Sequence, residues 1–143
     1  MSPPLQGIHL FNYRNFSQHF EDFQQYHTLF KGRNAVGKTN LLEAISFLCP
    51  GTGFRKDSMI NFSNDNRKDD LTSIEYKFNH EQLTNLLRIE LKKNDDRWSK
   101  QYLLNDKKIQ QQHLLKIFQL FWFTEIDKVY FIKDTQYQRN TIN

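Results

Sequence analysis

Residues 32–39 read Gly-Arg-Asn-Ala-Val-Gly-Lys-Thr, the spacing G-x-x-x-x-G-K-[ST]. This stretch restricts the fold more than any other, because it works only between a strand and the start of a helix. A phosphate chain must lie against successive backbone N–H groups. Glycine at Gly32 and Gly37 allows the unusual dihedrals and removes the Cβ that would block approach. The amides then form an anion nest at the positive end of the following helix. Lys38 is placed to reach β- and γ-phosphates, and the Thr39 hydroxyl to be one ligand of Mg²⁺. The candidate phosphate-binding residues are therefore Gly32, Arg33, Asn34, Ala35, Val36, Gly37, Lys38 and Thr39.

The flanking patterns suit such a loop. Tyr26–Lys31 is a short apolar run that predicts a strand leading into the turn at Gly32. From Thr39 the period becomes helical. Leu41, Leu42, Ala44, Ile45 and Leu48 form one stripe, and Pro50-Gly51 ends it. Upstream, Ile8 and Leu10 alternate with His9, which predicts a strand near the start. Residues 51–70 read as a polar connection with a helical turn around Ser58–Phe62.

Downstream, Ile74, Tyr76 and Phe78 alternate strictly, and Leu87, Ile89 and Leu91 repeat the pattern. Asn94–Arg97 is turn material, Trp98–Leu104 a return strand, and Asn105–Lys108 a second turn. Gln110–Phe118 reads as helical and Leu120–Phe123 as a short aromatic strand. The organisation predicted is one α/β domain. A P-loop part occupies 1–60, antiparallel hairpins 72–124, and a polar stretch 125–143.

Composition narrows the function classes. The chain has 143 residues, with 20 Lys+Arg against 16 Asp+Glu, a net charge of +4. Thirteen Phe, six Tyr and two Trp supply large buried areas, which argues against a disordered chain. The basic residues are interleaved with acids, so charge alone permits a polyanion partner without demanding one. Cys49 is the single cysteine and has no disulfide partner within the chain, which points to a reducing compartment, the cytoplasm. No apolar run approaches the roughly 18 residues of a membrane span. The five histidines show no metal-ligand spacing with Cys49.

Asn12-Tyr13-Arg14-Asn15-Phe16, the Gly32–Thr39 loop and Asn40-Leu41-Leu42-Glu43-Ala44-Ile45 together resemble the N-terminal part of the RecF family of bacterial DNA replication and repair proteins. Pro50-Gly51-Thr52-Gly53-Phe54-Arg55 matches the turn that follows in that family. The resemblance implies the front of an ABC-type ATPase head with an antiparallel β-subdomain. It implies ATP and Mg²⁺ as cofactors, with Arg14 and Asn15 near the nucleotide. It also implies duplex or gapped DNA as a partner, head-to-head dimerisation across ATP, and repair-pathway proteins as further partners.

In the family the Walker B strand, signature motif and switch histidine follow later in the chain, so binding without turnover by this chain alone is expected. Within it, only Leu120–Asp127 is an apolar run reaching an acid, and Thr124 stands where the Mg²⁺-binding Asp belongs. Ala35 occupies a family glycine position. A left-handed dihedral there would cost about 1–2 kcal/mol, equivalent to roughly tenfold in ATP affinity. Two other readings stay open: a non-functional remnant of a RecF gene, and a small P-loop phosphotransferase.

Overall fold

Alternation of apolar and polar side chains resolves into a single six-stranded sheet. The computed structural model describes residues 4–51, 53, 55, 71–94 and 97–122. The helical turn expected at Ser58–Phe62, the hairpin tip Asp95–Asp96 and everything from Phe123 onward lie outside the described residues. The strands are β1 (Leu5–Tyr13), β2 (Phe16–Asp22), β3 (Leu71–His80), β4 (Leu83–Asn94), β5 (Arg97–Leu104) and β6 (Lys107–Ile109). Their spatial order is β2-β1-β3-β4-β5-β6, and every neighbouring pair is antiparallel. Helix α1 (Lys38–Ser46) lies in the connection from β2 to β3, and a 3₁₀ segment, Gln111–Lys116, follows β6.

One sheet face is apolar and carries the core. Ile8 and Leu10 of β1, Ile74, Tyr76 and Phe78 of β3, Leu87, Ile89 and Leu91 of β4, and Tyr102 of β5 are all buried on it. Leu41, Ala44, Phe47 and Leu48 of the helical segment close over them, with Leu114 of the 3₁₀ segment. The Tyr76 hydroxyl donates to the Ala44 carbonyl at 2.6 Å, so a buried polar atom is satisfied by the helix it supports. A second tie joins the sheet to its own edge hairpin: Asn12 Nδ2 donates to the Leu71 carbonyl at 3.1 Å, and the Thr72 hydroxyl donates to the Asn12 carbonyl at 3.0 Å.

Several expectations need correction. Tyr26–Lys31 is not a strand, because no described strand lies beside it to accept its hydrogen bonds. Leu42 is 47% exposed: the burial face of α1 is centred on Leu41, Ala44 and Leu48, and one residue on from Leu41 the helix has turned by about 100°. Gln110–Phe118 forms the shorter 3₁₀ segment. Leu120–Trp122 is irregular, and Phe123 lies outside the described residues.

Two local features store free energy. The β3–β4 hairpin turns through Glu81 and Gln82, both left-handed (φ 50° and 64°), since His80 pairs with Leu83. Such loops favour Asn-Gly because ordinary L residues are strained there. The β5–β6 turn uses Asn105 and Asp106 (φ 48° and 62°), which tolerate the same conformation better. On β5, the Lys100 ammonium sits 4.8 Å from the Phe47 ring centroid and 5.2 Å from that of Tyr102. Burial lowers its pKa to about 8.

Replacing Gln82 by Gly should raise stability by about 1 kcal/mol in urea unfolding, as relief of one left-handed residue. Lys100 sets a pH dependence. Its folded pKa of about 8 lies below the ordinary value of 10.5, so between these limits only the unfolded chain holds the proton. Stability therefore rises with pH over the lower part of that window, and the half-buried ammonium penalises the fold below it. Unfolding curves from pH 7.5 to 9 should show this rise in the wild type, below the range where ionisation of Tyr13, Tyr76 and Tyr102 in the unfolded chain opposes it, and Lys100→Met should lack it.

Candidate functional site

β1 runs into a two-residue turn, Arg14–Asn15, closed by the pairing of Tyr13 with Phe16. Arg14 is left-handed (φ 53°). That turn lies directly under the 32–39 loop. A Cβ added to Gly37 would strike the Phe16 ring and come within 2.9 Å of Asn15 Nδ2. Gly37 also has φ 106°, so both space and dihedral require glycine there. The Asn15 amide donates to the Val36 carbonyl at 3.3 Å.

Gly37 is the N-cap of α1, whose first intrahelical bond runs from Leu41 N–H to the Gly37 carbonyl at 2.9 Å. The amides of Lys38, Thr39 and Asn40 thus have no acceptor inside the helix. No side chain caps this end, and no acid stands in the first turn. Lys38 Nζ folds back over the loop, donating to the carbonyls of Gly32 at 2.7 Å and Arg33 at 2.6 Å. The two ends of the loop are thereby drawn together into a closed bend.

A cavity of about 300 Å³ opens over this bend, lined by Asn15, Ala35, Lys38, Thr39, Asn40 and Arg55 among others. Its size sits at the small end of ligand sites. Asn34 and Gly37 also line it, while Gly32, Arg33 and Val36 contribute backbone groups to the bend around it. Ala35 is left-handed, with φ 65°. The cost expected for alanine at this point is therefore carried by the folded loop itself.

Arg14 points elsewhere. Its guanidinium donates from Nε at 3.0 Å and from Nη2 at 2.6 Å to the Glu43 carboxylate, while Asn15 alone of the turn lines the cavity. Glu43 also accepts the Tyr13 hydroxyl at 2.7 Å. Burial, followed by the neighbouring carboxylate, pushes the Tyr13 phenol far above its ordinary range, so it remains a donor. Motif spacing did not flag Asn40, Glu43 or Arg55. Glu43 did carry a signal: an acid inside the apolar run Leu41-Leu42-Glu43-Ala44-Ile45 must find partners if that run is buried.

A nucleoside triphosphate with Mg²⁺ fits this donor set. The amides of Lys38, Thr39 and Asn40 have no acceptor in the helix and no side-chain cap, and these three residues line the cavity with the Lys38 ammonium and the Thr39 hydroxyl among their side-chain groups.

Known proteins resemble this arrangement. A model of the AAA domain matches residues 7–142. The DNA replication and repair protein RecF of Rhizobium meliloti is 42% identical over 52 residues, which are 36% of this chain and 14% of that protein. RecF of Pelotomaculum thermopropionicum is 41% identical over 51 residues, again 14% of its length. A solved structure of the recombination mediator protein RecF-ATPrS in the RecFOR pathway superposes with TM-score 0.67 and 25% identity, covering 80% of this chain and 30% of that one. A RecF-ATP structure gives the same TM-score over 85% and 32%. The chain thus spans a small part of the length of these relatives. With a loop, helix and sheet that follow the RecF ATPase head and a family model covering nearly all its residues, the chain belongs to the AAA domain family and is RecF-like.

Proposed function

We propose that this chain binds Mg²⁺·ATP on the Gly32–Thr39 loop, as the N-terminal part of a RecF-like head acting in DNA replication and repair. The observation that carries the reading is the uncapped start of α1 behind a glycine cradle, with Lys38 closing the loop. Bound phosphate would take the amides at the helix start, where the helix dipole favours negative charge. Lys38 would exchange its carbonyl partners for β- and γ-phosphate oxygens. Thr39 would supply a hydroxyl ligand to Mg²⁺, whose chemistry is to bridge and neutralise those oxygens. Asn15 would face the nucleotide from the β1–β2 turn, and Arg14 would act from behind it.

Binding without turnover by this chain is part of the proposal. Glu43, the acid tied into this network, is fully buried behind Tyr13 and Arg14, so it is shielded from the water that a catalytic base would have to activate. DNA and repair-pathway proteins are the partners proposed, supported by what the relatives are named for; a second head is proposed from the family resemblance alone. Cytoplasmic residence follows from the same reading. Among the described residues no helix is long and apolar enough to cross a membrane.

Calorimetry with ATP and Mg²⁺ on the folded chain tests the reading. Lys38→Ala should weaken binding roughly ten- to a hundredfold, as expected for loss of a charge-assisted donor. Hydrolysis that is robust and abolished by Lys38→Ala would refute the binding-only assignment. Ala35→Gly separates two effects. Because the left-handed dihedral is already present in the loop, the variant should gain about 1 kcal/mol of stability and keep its ATP affinity within about threefold. For DNA, affinity for a duplex should fall linearly on a log–log plot against salt concentration.

A further inference from the structure

Glu43 has no role in the reading above, yet it is the most heavily engaged acid near the site. Its side chain is fully buried, and it accepts three hydrogen bonds, one from Tyr13 and two from Arg14. Arg55 Nη1 approaches the same carboxylate at 3.6 Å. Stability alone does not call for an acid here. A buried ion pair replaced by well-packed apolar residues is often neutral or better, and the flanking run Leu41-Leu42 and Ala44-Ile45 would accommodate one. What the acid provides that a leucine would not is a fixed geometry for two guanidinium groups.

Both groups lead to the phosphate loop. On one side, Arg14 holds a left-handed turn that presses Asn15 and Phe16 against Gly37 and lets Asn15 grip the Val36 carbonyl. On the other, Arg55 Nη1 donates to Asn40 Oδ1 at 2.8 Å, and Asn40 Nδ2 donates to Asn15 Oδ1 at 2.8 Å. The two arms meet at Asn15. The ring Glu43–Arg14–Asn15–Asn40–Arg55 ties together the β1–β2 turn, α1 and the segment after it. One carboxylate against two guanidiniums leaves the ring with a positive charge beside the cavity.

We propose that Glu43 is the positioning residue of the phosphate site: through Arg14 and Arg55 it sets Asn15 and Asn40 against the Gly32–Thr39 loop, and so fixes the cradle that a nucleoside triphosphate must fit. This rests on the nucleotide reading above. Glu43 touches no phosphate itself. It acts through the turn beneath Gly37.

The test is calorimetry of Mg²⁺·ATP binding to the full chain, with near-UV circular dichroism confirming the fold of each variant. Glu43→Gln keeps the shape and removes the charge. It should weaken binding roughly ten- to a hundredfold, the range seen when a group supporting a ligand shell is lost. Arg14→Lys keeps the charge but loses the two-pronged contact, and should weaken binding several-fold. Asn15→Ala should weaken binding in the wild type and add nothing in the Glu43→Gln background, because both changes break one linkage. A purely structural Glu43 would lower the melting temperature and leave the affinity of the folded protein intact. That result, or additive losses in the double variant, overturns the inference alone. If Glu43→Gln does not fold, unchanged affinity in Arg14→Lys overturns it. A wild type that binds no nucleotide overturns the nucleotide reading, and this inference with it.

Discussion

The absence of a side chain at Gly37 is the constraint on which the site depends. The β1–β2 turn, the phosphate loop and the first turn of α1 converge there, with the Phe16 ring and the Asn15 amide occupying the space a Cβ would need. Close approach lets Asn15 bond the Val36 carbonyl and brings Asn40 within reach of Asn15. The same residue turns the chain through φ 106° to start the helix. Sterics, hydrogen bonding and helix initiation are therefore met at one position. Substitution there would disturb all three together.

Behind this point the energetics are those of a half-covered sheet. The apolar face of β1, β3, β4 and β5 is buried against a nine-residue helix, Lys38–Ser46, that carries few charges of its own. So short a helix gains little from intrinsic propensity, and its stability comes from packing. Tyr13 and Tyr76 anchor it with hydroxyls donated to Glu43 and to the Ala44 carbonyl, and both rings are completely buried. The opposite face is polar. There Arg88 pairs with Glu75 at 3.1 Å and reaches Asp106 at 3.1 Å, contacts of modest worth in water.

How far the sequence disclosed this depended on the kind of signal each part carries. The motif and the helix behind it were legible because their spacing follows directly from phosphate and helix geometry. The strands β3, β4 and β5 were legible because one face is buried, which writes a period of two into Ile74-Tyr76-Phe78 and Leu87-Ile89-Leu91. β2 was not legible: Phe-Ser-Gln-His-Phe-Glu-Asp is an edge strand whose residues are half-buried or exposed, so alternation fades. Tyr26–Lys31 shows the reverse, an apolar run with no neighbouring strand among the described residues. The turn at Glu81–Gln82 carries neither Gly, Asn nor Asp, and its conformation is imposed by the register of the strands around it. Within the site, Asn40 and Arg55 were hidden because their roles come from side chains meeting across the fold, and no local spacing records that. Arg14 was legible as important, but its direction was not, since only the folded helix places Glu43 in front of it.

The topology also orders events in time. β1 pairs with β3, yet the loop and α1 lie in the chain between them. The hydrogen bonds that fasten the end of β1, from Asn12 to Leu71 and from Thr72 to Asn12, join residues some sixty positions apart. Long loops must close before such contacts form, and topologies of this kind fold slowly. The loop's own contacts all lie within residues 14–55, but the helix behind it is anchored to β3 through the Tyr76 hydroxyl, so a chain cut short before β3 would carry the whole motif on a helix that has lost its support in the sheet.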